Sequence, residues 1–258
     1  MNYGIQMYSI KDVASVDLKL ALKTVADLGY KYVEFAGFFD KSAEDVKSWL
    51  DEYGLTVTGT HTGLGALAPD VIAQTVAYHK AIGCDYIIVP AANWSTKENL
   101  DNNISAMCYA YEYLKNEGIG LGFHNHSGEL LEQSYGIIPL FEIIERTPLD
   151  IEPDVFFFSN VGMDPIEFCE KYNSRIKCIH MKDGTYPTDI KRTYANPHEG
   201  IRSTPCGTGY VPILDVARFG VKNGKTLIVE VESGDRGGPE VVAESIKYLI
   251  EKDGEIQC

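Results

Sequence analysis

No apolar run in this chain approaches the roughly 20 residues that cross a bilayer. The opening segment MNYGIQMYSI has no basic stretch ahead of an apolar one, so it reads as a first strand and not as a secretory leader. Positive charge is scarce as well. Lys and Arg number 23 against 37 Asp and Glu, for a formal net charge of -14. No basic cluster supplies the field that a phosphate backbone or an anionic lipid surface attracts, so neither nucleic acid nor membrane is an expected partner. The six cysteines, Cys84, Cys108, Cys169, Cys178, Cys206 and Cys258, form no C-x-x-C pair, which points to free thiols in a reduced, cytoplasmic setting. A glycine-rich phosphate loop is missing too. Ser9–Asp12 stands where an open dinucleotide-binding sheet would carry one.

What is present is a regular alternation. Hydrophobic residues make up 45% of the 258 and charged ones 23%, an ordinary globular balance. Strand-like runs occur at Tyr3–Tyr8, Tyr32–Phe35, Thr56–Thr60, Tyr86–Val89, Ile119–His124, Leu149–Ile151 running on toward Asp154, Ile176–Met181 and Thr226–Val231. Helical spacing fills the intervals: Val16–Leu28, Ala43–Tyr53, Pro69–Ile82, Glu98–Asn116, Pro139–Glu145, Pro165–Tyr172, Val211–Phe219 and Glu240–Ile250. Gly29, Gly54, Gly83 and Gly118 stand where helix C-termini need a left-handed residue, and Pro69 suits a first helical turn. Strands that alternate with helices pair in parallel. Eight such units in about 250 residues predict an α/β protein with one closed (β/α)8 barrel, spanning 1–258 as a single domain. Gly184–Gly209 has no assigned element, and a loop of that length often covers an active site.

Polar residues gather where the strands of such a barrel end, which is the face that carries the site. His61, His124, His126 and His180 fall there, with Glu34, Glu129, Glu152, Asp154, Asp183, Glu230 and Glu232. Strands six, seven and eight would bring Asp154, His180 and Glu230 together. That mixed carboxylate and imidazole set suits Mn²⁺, Mg²⁺, Co²⁺ or Zn²⁺, whereas the carboxylates would repel one another without a cation. A histidine that only caps its strand end is the competing reading of His180. In FHNHSGE (Phe123–Glu129), His124 and His126 share a strand face. One is a candidate ligand and the other a proton carrier, with Asn125 and Glu129 available to sugar hydroxyls. Glu232 stands one step nearer solvent than Glu230. His61 either faces the same cavity or packs. His79 reads as a packing residue and His198 as a solvated one. Lys182 would neutralise an oxyanion, with Asp183 ordering the strand end. Lys191, Arg192 and Arg202 are loop cations that an anionic substrate would meet. Tyr8, Phe35, Trp94, Phe157 and Tyr210 are candidate walls for a sugar ring, Trp94 first among them.

Several segments together resemble the sugar phosphate isomerase/epimerase superfamily of xylose-isomerase-like TIM barrels. These are GIQMYS (Gly4–Ser9), YVEFAG (Tyr32–Gly37), LGFHNHSGEL (Leu121–Leu130), DPIEFCEKYNSRIKCIHMKD (Asp164–Asp183) and the strand ending in Glu230. The resemblance covers the whole chain, with HNH-x-x-E its most specific part. It implies Asp154, His180 and Glu230 as three of four metal ligands. Where many relatives carry a glutamate on the fifth strand this chain has His124, with Glu129 as an alternative that reaches in from the loop. Pro153 also departs from the usual apolar residue of the sixth strand.

The chemistry such a site supports is proton abstraction next to a carbonyl, with a metal-stabilised enediolate. The expected activity is a divalent-metal-dependent isomerase or epimerase acting on a sugar or sugar derivative. Glu230 or Glu129 would be one acid/base, His126 the other, and Lys182 the charge stabiliser. Loss of a β-substituent from the same intermediate would make it a dehydratase or lyase acting on an inositol- or keto-sugar-type substrate. A barrel that binds a sugar without turnover is a further alternative. An abasic-site endonuclease is disfavoured by the acidic balance. A homo-oligomer is a possible assembly.

Overall fold

The computed structural model describes residues 3–232 and 237–257. Ten strands are numbered in chain order: β1 (Gly4–Gln6), β2 (Tyr32–Phe35), β3 (Thr56–His61), β4 (Tyr86–Val89), β5 (Gly120–His124), β6 (Asp150–Glu152), β7 (Cys178–Met181), β8 (Asp183–Thr185), β9 (Arg202–Thr204) and β10 (Thr226–Val229). Eight form one parallel sheet in the order β6-β5-β4-β3-β2-β1-β10-β7. Parallel bridges Ile151↔Ile176 and Asp154↔His180 join its two edges. The result is a nearly closed TIM barrel with helices between the strands, as the alternation implied.

The β-rich runs of β2 and β4 and the helix Ala43–Tyr53 match their expected spans residue for residue. Gly54 and Gly83 close their helices in the left-handed region, at φ 64° and 76°. Three expectations need correction. Pro69 does not open a helix, since the helix begins at Ile72 after Val71. The sixth strand stops at Glu152, before Pro153, which has no N–H to continue the ladder. Asp154 instead caps the short helix Val155–Asn160 through Phe156 N, while Pro153 O accepts from His180 N. The segment after Asp183 is not structureless either, because β8 and β9 pair antiparallel within it.

That segment is held from its base. Asp183 accepts backbone N–H groups from Gly184, Gly207, Gly209 and Val211 at 2.8 to 3.1 Å. A Cβ at Gly209 would lie 2.2 Å from Asp183 Oδ1, so no larger residue fits.

Strand alternation divides the core in two. Outward residues such as Ile87, Val89, Ile179 and Met181 join the large cluster under the helices. Inward residues Tyr86, Ile88, Cys178 and Ile228 form a small separate cluster that fills the barrel. Tyr86 is accommodated by glycine: a Cβ at Gly122 would approach its hydroxyl to 2.3 Å. The described cysteines Cys84, Cys108, Cys169, Cys178 and Cys206 are free thiols, and Cys258 lies outside the described residues. No described helix is long and apolar enough to cross a membrane.

Candidate functional site

The same inward phase that places Tyr86 and Cys178 in the barrel floor ends, one layer higher, on polar residues. Gln6, Glu34, His124, Glu152 and His180 are all fully buried, and Glu230 follows β10 at 3% exposure. Strand geometry therefore turns six separate strand ends into one ring of polar, mostly ionisable groups.

The four residues expected to hold a metal come together. One ligand atom each from His124, Asp154, His180 and Glu230 lies within 4.8 Å of the others. The bridge that closes the barrel sets Asp154 beside His180. His180 Nδ1 lies 3.0 Å from Glu230 Oε2, and its Nε2 lies 2.8 Å from Glu34 Oε1. Neither ring nitrogen of His124 has a hydrogen-bond partner, and neither has Asp154 Oδ2. Burial, then the neighbouring His180, pushes His124 down to about 3, so its ring is neutral with a lone pair available. Burial raises Asp154 to about 7. Burial opposes the His180 imidazolium, but Glu152, Glu230 and Glu34 outweigh it and hold its pKa well above the ordinary histidine value.

A second set, His61, His124, Glu152 and His180, also gathers within 4.8 Å. Its contacts are already those of an ion-pair network: His61 Nε2 lies 2.9 Å from Glu152 Oε2 and 3.1 Å from Glu34 Oε1. Burial works against the charged ring, yet these carboxylates raise His61 to about 10. His61 thus faces the cavity as a cation. The sequence left that open.

Lys182 is buried with its ammonium 3.5 Å from Asp154, 3.6 Å from Glu230, against Glu232, and 4.2 Å above the Phe157 ring. Burial disfavours its charge, but Glu230, Asp154 and Glu232 raise its pKa above the usual lysine value. His126 Nε2 lies 3.3 Å from Glu232 Oε1, both side chains about one-fifth exposed. Burial lowers the His126 pKa and Glu232 more than restores it, leaving it raised. Glu232, opposed by burial but held by Lys182, falls to about 2. A cavity of about 400 Å³ opens over this group, bordered by Tyr8, Gly37, His61, His126, Glu230 and Glu232.

Other sequence expectations place differently. Both Glu129 oxygens are engaged, Oε1 by Trp94 Nε1 at 2.9 Å and Oε2 by His126 N at 3.0 Å. Glu129 braces the turn that carries His126 and borders neither the cavity nor the ligand cluster. Asn125 is buried and accepts from Asp154 N. Trp94 and Phe35 are buried core residues, Trp94 edge-on to Phe123, so neither walls a sugar site. Of the five aromatics only Tyr8 borders the cavity. Arg192 is buried and donates to Glu199 O. His79 packs as expected, bonded to Thr60 Oγ1 and Thr75 O, whereas the His198 ring stands 6.2 Å from His126 at the rim. Gln6, whose amide donates to Glu34 Oε1 at 2.8 Å, escaped sequence reasoning. Its inward phase on β1 was the available signal.

The chain belongs to the family of xylose isomerase-like TIM barrels, whose pattern it matches over residues 22–252. It is 22% identical over 188 residues to the inosose dehydratase of Geobacillus kaustophilus, covering 63% of this chain and 60% of that protein. It is 25% identical over 190 residues to the 2-oxo-tetronate isomerase of Haemophilus influenzae, covering 64% and 73%. The fold also matches a sugar phosphate isomerase/epimerase from Parabacteroides distasonis at a TM-score of 0.77 and 23% identity, covering 97% of this chain and 98% of that one.

Proposed function

We propose that the chain is a divalent-metal-dependent isomerase or epimerase acting on a sugar or sugar derivative through proton abstraction beside a carbonyl. The observation that carries this reading is the buried quartet His124, Asp154, His180 and Glu230, in which the His124 nitrogens and Asp154 Oδ2 make no hydrogen bond and have only long contacts, His124 Nδ1 3.4 Å from Glu152 and Asp154 Oδ2 3.5 Å from Lys182. Unpaired buried polar atoms are costly, and a cation would engage one nitrogen of His124 together with Asp154 Oδ2. Charge supports the same fit. Five carboxylates, Glu34, Glu152, Asp154, Glu230 and Glu232, converge on four cationic or protonatable groups, Lys182, His61, His126 and His180. A carboxylate-rich site of this kind favours a divalent cation.

Mn²⁺, Mg²⁺, Co²⁺ or Zn²⁺ held by the quartet would polarise adjacent substrate oxygens as a Lewis acid. Glu230 borders the cavity and takes the proton from carbon. His126, kept protonated by Glu232, returns one. Lys182 offsets the charge of the enediolate oxygen from a water-poor position. Glu129 positions His126 through its backbone N–H and is not itself an acid or base. Loss of a β-substituent would make the same proton abstraction a dehydratase or lyase reaction. That second reading is favoured by the cationic acid His126 on the cavity wall, and by the name of the Geobacillus relative.

Incubation in D₂O with Mn²⁺ and a panel of aldoses, ketoses and keto-sugars, read by NMR, tests the proposal. Deuterium is expected on the carbon next to the carbonyl, with Lys182→Met slowing its entry about 100-fold. A product lighter by one water selects the lyase reading, and absence of both exchange and turnover across the panel defeats both.

Glu34 orients His180 through Nε2, leaving Nδ1 for the quartet. Such carboxylate–histidine partners set ligand tautomer and basicity. Glu34→Gln is expected to weaken Mn²⁺ binding about 10- to 100-fold by calorimetry. An unchanged affinity would remove Glu34 from that role.

A further inference from the structure

We infer that the catalytic cavity continues into a second sugar subsite, so that the substrate carries two linked rings, the second seated on Phe38 and Tyr78. The inference rests on the proposed sugar chemistry and extends it to the substrate's size.

A second cavity of about 410 Å³ lies next to the first, and the two share Gly37 and His61 as their border. Each falls within the range of about 300–1,000 Å³ typical of small-ligand sites. The border itself is low. A Cβ at Gly37 would meet nothing within 4 Å, so the border is open on the Gly37 side, with the His61 ring on the other.

The lining of the second cavity has the two kinds of surface a pyranose uses. Phe38 and Tyr78 are half-buried, with ring centroids 4.3 Å apart, and supply apolar faces for sugar C–H groups. The Tyr78 hydroxyl is spent on Lys41 O at 2.9 Å, which leaves its ring as the contact surface. Thr62 and the exposed amide of Gln74 border the same space and suit hydroxyl groups. A purely apolar occupant would leave those polar groups unused, so a second sugar ring fits better than an aromatic aglycone.

The backbone that presents Phe38 is strained. Gly37 has φ 92°, and the two residues after Phe38 also lie in the left-handed region, Phe39 at 50° and Asp40 at 58°. Residues with a Cβ are disfavoured there. Such strain persists where surrounding structure enforces it, often at binding sites. Here it turns the chain after β2 so that Phe38 lies beside the cavity.

The test uses the purified full chain with Mn²⁺ and measures binding of methyl α- and β-glucoside, phenyl β-glucoside, cellobiose, maltose and lactose by calorimetry and saturation-transfer NMR. At least one disaccharide is expected to bind about tenfold tighter than either methyl glucoside, the difference that one aromatic stacking contact provides. Phe38→Ala should erase that advantage. Ala66→Trp, at an exposed position on the second cavity, should erase it by filling the space, and neither variant should shift methyl glucoside binding more than about twofold. The subsite is overturned if no disaccharide binds tighter than the methyl glucosides, if the advantage survives both variants, or if phenyl β-glucoside outbinds every disaccharide. Mn²⁺ stoichiometry, and deuterium exchange in the disaccharide samples, whose reducing ends supply a carbonyl, separate the two claims. Metal bound and exchange intact without two-ring preference removes the subsite alone, whereas loss of both removes the catalytic reading beneath it.

Discussion

Stripping divalent cations with EDTA is expected to lower turnover by about 1,000-fold or more, with Mn²⁺ restoring it. The size follows from the role: Lewis-acid stabilisation of developing charge is worth several kcal/mol, and each 1.36 kcal/mol is tenfold in rate. Asp154→Ala and His180→Ala should show the same loss without rescue, because each removes a donor from the quartet and leaves the others to repel or hydrate. Glu129→Gln should behave differently. It disturbs the hydrogen bonds to Trp94 and His126 N and should affect rate more than metal affinity. Turnover that persists in protein shown to be metal-free would contradict the proposed chemistry.

Asp183→Ala is expected to be the most destabilising polar substitution outside the site. It leaves the N–H groups of Gly184, Gly207, Gly209 and Val211 without their acceptor. A buried donor left unsatisfied costs about 1–3 kcal/mol. With partial hydration as the segment loosens, a loss of about 4 kcal/mol in urea unfolding is reasonable. Hydrogen exchange at Gly207 and Gly209 should accelerate before the barrel strands respond, because the anchor joins the long segment to the end of β7 and not to the core. Gly209→Ala should reproduce the effect by collision, its Cβ falling 2.2 Å from Asp183 Oδ1. A change below about 1 kcal/mol in both variants would show that the anchor carries little weight.

Much of this arrangement is legible in the residues. The apolar run of β4 and the amphipathic spacing of Ala43–Tyr53, closed by Gly54, are read without ambiguity, because local propensity and burial agree there. The quartet follows from the position of one polar residue after each apolar run, since a parallel barrel collects those positions at one mouth. The misses share a cause. Trp94, in the polar stretch Asn93–Ser95 after the fourth strand, fits a sugar-ring wall by position, but its burial is decided by Phe123 and Glu129, distant in sequence. Glu129 carries a charge at a plausible place, yet both oxygens are claimed by groups that only the folded chain supplies. Pro69 fits a helix start by type, while the turn at Ala68–Val71 sets the true start. Pairwise contacts between separate elements, unlike periodicity, leave no local mark.

Anomalous diffraction from a crystal soaked in Mn²⁺ reaches the central claim most directly. One strong peak bounded by His124, Asp154, His180 and Glu230 is the expected result. A peak between His61 and Glu152 instead, or none within reach of Asp154 and Glu230, would contradict it.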